Sequence, residues 1–231
     1  MKALHAQVAN FIPFSWVDGP GNRFVLFLQG CNFNCIACHN PQTIPLNTPR
    51  ATELTVVQVL DLVRESMPYI SGVTVSGGEA TVQYQFVAEL FQAIKGSDEF
   101  KALSTFIDSN GNTPIEVWEQ LSAVTDGVML DLKSLDNQRH VDLTGSSIES
   151  VLESIRYLSR IGILYEVRLL LIPGHNDSDE QLINTAAWLK GVDPTMRITV
   201  NAFKTHGVRA AARDWQEVTD KDMDRYLGII S

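Results

Sequence analysis

Cysteine is scarce in this chain and confined to one place. Among 231 residues there are three cysteines, Cys31, Cys35 and Cys38, within eight positions of one another. A disulfide framework needs an even number of cysteines at wider spacing, so it is excluded. No stretch approaches 18 consecutive apolar residues, so nothing in the sequence is suited to spanning a bilayer. The opening MKALHAQVANFIPFSW lacks a sustained apolar stretch and a clear cleavage site, which argues against secretion and for the cytoplasm. Basic runs are missing too. The net charge is −9, and residues 1–50 carry only Lys2, Arg23 and Arg50 against Asp18, a local +2 that leaves −11 for the rest. Such a chain is a poor candidate for binding nucleic acid or an anionic membrane, whereas a specific protein partner stays open.

What is present is enough apolar material for a core, 45% against 19% charged. The length fits one domain over residues 1–231, without internal repeat or low-complexity segment. After a short lead, Asp18-Gly19-Pro20-Gly21 reads as a turn, and Arg23 to Gln29 as a strand leading into the cysteine loop. Thr55 or Thr52 caps a helix to about Ser66, apolar at Val56, Val59, Leu60 and Val63. Strands at 73–75, 105–108, 127–132, 165–172 and 197–203 then alternate with helices near 82–94, 114–123, 136–143, 147–161, 177–190 and 220–230. Six strands, each followed by a helix, predict an α/β fold with a parallel sheet, and right-handed crossovers curl it into an open barrel. The cysteine loop, Gly77-Gly78-Glu79, Asp108-Ser109, Asp131-Leu132-Lys133, Pro173-Gly174 and Phe203 to His206 all fall at carboxyl ends of these strands, where β/α barrels carry their chemistry.

Three thiols spaced C-x3-C-x2-C can converge on one soft metal centre, but they cannot fill the four cysteine positions of an ordinary iron–sulfur cluster. A cluster held here keeps one iron open, as catalytic metal sites do. Two other readings compete. A zinc site would recruit His39, but a histidine adjacent to Cys38 strains a closed tetrahedron. Cys35-Ile36-Ala37-Cys38-His39 also matches the c-type haem attachment signature, which requires export. Gly77-Gly78 alone reads as a turn, although beside a cluster loop glycine lets backbone approach a ligand closely. Arg168 interrupts an apolar strand, where a charge is costly unless paired, so an inward polar role follows. Trp118 and Trp188 read as packing residues in helices, and His5, His140 and His175 as surface or loop histidines.

The cysteine spacing followed by Ser76-Gly77-Gly78-Glu79 resembles the radical S-adenosylmethionine (SAM) enzymes. VDGPG at Val17 to Gly21, QGC at Gln29 to Cys31, CHNP at Cys38 to Pro41, DSNG at Asp108 to Gly111, MLDLK at Met129 to Lys133 and IPG at Ile172 to Gly174 narrow the resemblance. They point to the glycyl-radical-enzyme activases of the pyruvate formate-lyase-activating type, with VTVSGGEAT and VNAFKTHGVR similar to the YjjW-like branch. The resemblance implies a partial (β/α)6 TIM-like barrel of the radical SAM type and a [4Fe–4S] cluster on Cys31, Cys35 and Cys38. It further implies reductive cleavage of SAM to a 5′-deoxyadenosyl radical, and hydrogen abstraction from a glycine Cα of a partner glycyl radical enzyme. A flavodoxin- or ferredoxin-like protein would supply the electron to a monomeric activase.

The same resemblance assigns the remaining site. Backbone at Gly77 and Gly78, with Glu79 nearby, faces the SAM amino group. Asp131, Leu132 and Lys133 reach SAM, with Lys133 on its carboxylate, and Ala37, His39, Arg168 and Lys204 complete the cofactor surroundings. Asp108, Ser109, Met129 and Asp131 can surround a monovalent cation, and Asp18 lies near the partner's glycine loop. Departures are visible as well. Ala37 replaces an often aromatic residue, Lys204 stands where relatives have histidine (with His206 two residues on), and only a short linker follows Pro41, so further clusters are not expected. These departures keep two alternatives in view: a radical SAM enzyme acting on a small molecule, such as a deazaguanine-forming synthase, and a non-catalytic iron–sulfur adaptor.

Overall fold

The computed structural model describes residues 4–230. In chain order they form β1 (His5–Ser15), β2 (Arg23–Leu28), β3 (Thr52–Thr55), α1 (Val56–Ser66), β4 (Gly72–Gly77), α2 (Tyr84–Gly96), β5 (Ser104–Ser109) and α3 (Ile115–Ser122). There follow β6 (Gly127–Asp131), α4 (Asn137–Thr144), α5 (Glu149–Arg160), β7 (Leu164–Leu171), α6 (Asp179–Val192), β8 (Ile198–Ala202) and α7 (Asp220–Ile230). The sheet order is β3-β1-β2-β4-β5-β6-β7-β8. The β2–β4, β4–β5 and β7–β8 ladders are parallel, while β1 runs antiparallel to both β2 and β3.

The chain folds as two compact units, one made of residues up to Asn32 with Gln42–Ser109 and Thr113–Met129, the other of Phe33–Pro41, Asn110–Asn112 and everything from Leu130 on. In the first unit, β2, β4 and β5 are buried along nearly their whole length, at Phe24, Val25, Leu26, Val73, Thr74, Val75, Thr105, Phe106 and Ile107. Continuous apolar runs of this kind belong to parallel strands covered on both faces. Helix α2 buries Phe86, Val87, Leu90, Phe91 and Ile94, the stripe its period predicts. Each such side chain contributes about 1.5–3 kcal/mol on burial. Trp118, in α3, is fully buried, as a packing residue should be. The second unit buries Val151, Ile155 and Leu158 of α5 beside Val167, Leu169 and Leu171 of β7.

Three expectations need correction. The short lead is the 11-residue strand β1, whose residues Asn10 to Phe14 are exposed and whose register slips twice against β2. With Pro13 inside it and little alternation, it carries no strand pattern. Thr52 starts β3 and pairs with Val8, and the cap of α1 belongs to Thr55 alone, which forms a capping box with Gln58. His140 is neither a surface nor a loop residue: it is fully buried in α4.

One residue passed over as the mere start of a strand organises the lower end of the first unit. Arg23 is fully buried. Its Nε donates to Thr74 Oγ1 (2.6 Å), Nη1 to the Pro20 carbonyl (3.0 Å) and Ser104 Oγ (2.9 Å), and Nη2 to the carbonyls of Val73 (2.8 Å) and Ser104 (3.0 Å). The guanidinium also lies 4.5 Å from the centre of the Phe106 ring. It fits only because Gly72 has no side chain: a Cβ there would sit 2.5 Å from Nη1. A buried cation is tolerable when its donors are satisfied, and here they fasten the Asp18–Gly21 turn to the sheet.

Candidate active site

In the first unit the approach to Cys31 is built almost wholly from backbone. Gly30 N–H donates to the Thr43 carbonyl (2.8 Å) and Cys31 N–H to that of Ile44 (3.0 Å), while the Gln29 side chain donates to the carbonyls of Gln42 (2.8 Å) and Pro45 (2.6 Å). The linker after the cysteine loop is thus a strap over its first residue. On the other side, Gly78 N–H donates to the Leu28 carbonyl (2.9 Å) and Glu79 N–H to that of Gly30 (2.8 Å). A Cβ at Gly77 would overlap the backbone of Leu28, one at Gly78 that of Gly30, and Gly77 has φ +126°, which disfavours other residues. The glycines therefore let β4 close on the end of β2, and the demand for glycine is met by the chain itself before any ligand is considered.

Glu79 is buried. Its Oε1 accepts from Thr81 N–H (3.0 Å), Thr81 Oγ1 (2.7 Å) and Ser109 Oγ (2.8 Å). The structure thus brings two predicted site residues, Glu79 and Ser109, into contact. Asp108 accepts from Ser76 Oγ (2.8 Å), and Met129 is fully buried in β6. At the far end of the same strands, Asp18 Oδ2 accepts from Ser15 Oγ (2.5 Å) and its carbonyl from Thr74 Oγ1 (2.7 Å). Phe14, Trp16 and Val17, just before it, are 40%, 73% and 69% exposed.

The second unit holds the rest of the loop by different means. Asn34 and Ile36 N–H donate to the carbonyls of Thr144 and Leu143 at the C-terminus of α4 (both 2.9 Å). Arg209 Nη1 donates to the carbonyl of Asn34 (3.0 Å), to its Oδ1 (2.7 Å) and to the Cys35 carbonyl (3.2 Å). His39 Nε2 lies 2.9 Å from the Lys204 carbonyl and so carries a proton, and its ring tilts onto Phe203 at 5.9 Å. Ala37 is buried, whereas Cys35 and Cys38 are half-exposed.

Lys133 Nζ pairs with Asp131 Oδ2 at 2.6 Å, on side chains only 18% and 30% exposed. Burial pushes the Cys35 thiol up, the Lys133 cation opposes this, and Cys38 and Asp131 add to the rise. Leu132, between the pair, is buried and donates its N–H to the Arg168 carbonyl (2.9 Å). Arg168 has the paired, polar setting expected of it: Nε donates to Glu166 Oε1 (2.5 Å), and Glu166 Oε2 accepts from Thr199 (2.9 Å). Lys204 differs. Its ammonium is exposed and points to Glu217 (3.4 Å) and the Val218 carbonyl (3.3 Å), and His206 is exposed.

Four residues escaped sequence reasoning: Arg23, His140, Asn176 and Arg209. Asn176 is buried and ties Lys133 to β7, donating to the carbonyls of Lys133 (2.6 Å) and Leu170 (2.8 Å) and accepting from Ile172 N–H (2.7 Å). Only Arg23 had a signal, a lone charge at the head of an apolar run.

The donor set fits an iron–sulfur cluster. Thiolates suit iron–sulfur centres, and none of the three cysteines is tied up in a disulfide. Among the described residues no three Cys, His, Asp or Glu side chains close on a single point. Thiolates that each bind a different iron of a cluster are not required to.

Comparison with known proteins agrees with this donor set. The model of the radical SAM superfamily matches residues 25–186. A pyruvate formate-lyase-activating enzyme of Streptococcus mutans is 40% identical over 202 residues, covering 84% of this chain and 76% of that protein. The enzyme of the same name from Staphylococcus aureus is 32% identical over 219 residues, with coverages of 89% and 87%. Among solved structures, a domain of pyruvate-formate lyase-activating enzyme from Bacteroides vulgatus aligns with TM-score 0.55 at 18% identity, covering 70% of this chain and 93% of that one. HydG, a maturase of the [FeFe]-hydrogenase, aligns with TM-score 0.66 at 16% identity, covering 90% and 49%. The chain belongs to the radical SAM superfamily, with the fold of its partial (β/α)6 barrels and an enzyme chemistry based on a [4Fe–4S] cluster and SAM. Within that class it is an activase of the pyruvate formate-lyase-activating family.

Proposed function

We propose that this chain, as one radical SAM domain and as a monomer, abstracts hydrogen from a glycine Cα of a partner glycyl radical enzyme, leaving a stored radical on that protein. Cys31, Cys35 and Cys38 hold the cluster. When bound, the reduced cluster supplies the electron that cleaves SAM to methionine and a 5′-deoxyadenosyl radical, the cofactor doing the difficult chemistry while protein positions it. The electron comes from a flavodoxin- or ferredoxin-like donor. The observation that carries the reading is the cysteine loop itself: the only three thiols of the chain, with the Lys133–Asp131 pair acting on Cys35.

Around that loop, backbone at Gly77 and Gly78 with Glu79 receives the SAM amine, and Lys133 its carboxylate. Arg168, His39, Ala37 and Leu132 line the cofactor, and Asp108, Ser109, Met129 and Asp131 offer oxygen and thioether donors to a monovalent cation. Asp18, at the end of β2 and β4 opposite Gly77 and Gly78, lies near the partner's glycine loop away from the glycine that reacts. Its neighbours Phe14, Trp16 and Val17 support a protein substrate over a small one, because an exposed apolar cluster gains most when a protein surface covers it.

The test is anaerobic. After reconstitution with iron and sulfide, dithionite and SAM are added and 5′-deoxyadenosine is measured by chromatography, with Cys35→Ala as the blank. Pyruvate formate-lyase is then added and the glycyl radical sought by electron paramagnetic resonance. Nucleoside that vanishes in the variant, with a radical on the added enzyme, is the expected result. Nucleoside without any protein radical would transfer the reading to a small-molecule substrate. A four-iron spectrum with no nucleoside would leave an iron–sulfur adaptor.

A further inference from the structure

The segment Phe33 to His39 of the second unit is gripped from two sides. On one, the last carbonyls of α4 accept from Asn34 and Ile36. A helix C-terminus carries the negative end of the macrodipole, so this contact turns partial negative charge toward the loop. On the other, the segment after β8 contributes the Lys204 carbonyl to His39 and the guanidinium of Arg209 to Asn34 and Cys35.

The cations of this unit differ in what they face. Lys133 is matched by Asp131, Arg168 by Glu166 and Lys204 by Glu217. The hydrogen bonds of Arg209 go instead to three uncharged oxygens, one of them the carbonyl of a cluster cysteine. A carbonyl accepts the bond without cancelling the charge, so the field of Arg209 falls on the loop. The potential of an iron–sulfur cluster is set by net charge, hydrogen bonding and exposure. One-electron reduction adds a negative charge to the centre, and a fixed cation beside it stabilises the reduced form.

We propose that Arg209 is a positioning residue for the cluster loop that also raises the reduction potential of the cluster carried on it. The inference rests on Cys31, Cys35 and Cys38 being the cluster ligands. Its two parts separate by chemistry: Nη1, aimed by the planar guanidinium, fixes Asn34 and Cys35, while the charge sets the potential. Arg209 itself neither gains nor loses a proton or an electron; the electron passes from an external reductant to the cluster.

The experiment is a redox titration of the reconstituted enzyme with dithionite, followed by electron paramagnetic resonance, together with iron counting, for wild type, R209Q and R209K. R209Q is expected to shift the reduction equilibrium about tenfold toward the oxidised cluster, a midpoint about 59 mV lower for one electron. R209K keeps the charge and loses the planar group that aims Nη1 at three oxygens, so it is expected to stay close to the wild-type midpoint while losing iron faster to a chelator. An unchanged midpoint in R209Q with four irons bound would overturn the assignment. Should R209Q fail to hold iron, R209K decides: a midpoint near wild type supports the charge effect, and one lowered tenfold in equilibrium overturns it. A wild-type protein that takes up no iron would instead sink the ligand assignment beneath it.

Discussion

The two ends of the cysteine loop are held in opposite ways. Around Cys31, in the first unit, main-chain bonds predominate, joined by the side chains of Gln29 and Gln83, and the glycines of β4 close against the end of β2. Around Cys35 to His39, in the second, side chains of Arg209 and His39 share the work with the carbonyls of α4. A backbone-built anchor tolerates nearly any side chain except where two chains touch, and there it tolerates almost nothing. A side-chain anchor yields to each substitution by degrees. The first end is therefore rigid, and the second can be tuned.

The largest effect should come from breaking the backbone anchor. Gly77→Ala places a Cβ against the Leu28 backbone at a φ of +126°. Overpacking and strain together are expected to cost about 2–6 kcal/mol. Gly96→Ala, at the end of α2 with open space around it, should do the opposite and stabilise by about 0.4–1 kcal/mol. Anaerobic urea unfolding followed by circular dichroism compares the two. Equal, small effects would show that β4 does not need to close on β2 in the way described.

A middle-sized effect tests the side-chain end through His140. Its Nδ1 lies 2.8 Å from the Ser146 carbonyl, which can only accept, so Nδ1 carries the proton, while Nε2 is buried without a partner. The ring meets Phe33 of the cluster loop edge to face at 5.5 Å. Burial lowers the imidazole below its ordinary value of 6.5; the Ser146 bond opposes this, and Lys133 lowers it further. The folded chain thus resists the proton that the unfolded chain accepts. Stability from the neutral ring is complete above about pH 6.5 and drains as the pH falls below it, by at most about 1.4 kcal/mol per pH unit. His140→Gln should cost about 1–2 kcal/mol at pH 8, and the gap to wild type should narrow toward pH 5.5. A gap constant with pH would mean that the ring does not sit as buried as it stands here.

Much of this was written in the sequence because it rests on periodicity or on punctuation. The stripe of α2, the buried run of β2 and the glycines at 77 and 78 are patterns of spacing. The structure places the cysteine loop and the Gly77, Asp108, Asp131, Pro173 and Phe203 motifs at carboxyl ends of their strands, with the Asp18–Gly21 turn at the opposite end. What stayed hidden depends on partners distant in the chain. Strand β1 shows little alternation because it is exposed from Asn10 to Phe14 and broken by Pro13, so its pairing with β2 and β3 is what reveals it. His140 lies in the polar stretch NQRHVDLT, whose burial comes from what packs over it. Arg209 reaches a loop about 175 residues earlier, and no local spacing encodes that bond.

The smallest effect tests where the tunable end stops. Lys204 belongs to the same segment as Arg209, and family resemblance would set it beside the cofactor. Its backbone carbonyl does serve the loop through His39, but its ammonium is 57% exposed and directed at Glu217, itself 42% exposed. An exposed pair of this kind contributes little, because water and salt screen it. Lys204→Met keeps the carbonyl and the stem of the side chain and removes only the charge. The expected result is no measurable change in stability and a KM for SAM within about twofold of wild type, about 0.4 kcal/mol by the usual conversion. A tenfold rise in KM with kcat held would show that the ammonium swings from Glu217 to the SAM carboxylate when the cofactor binds. The charge of Lys204 would then join that of Arg209 in serving the site.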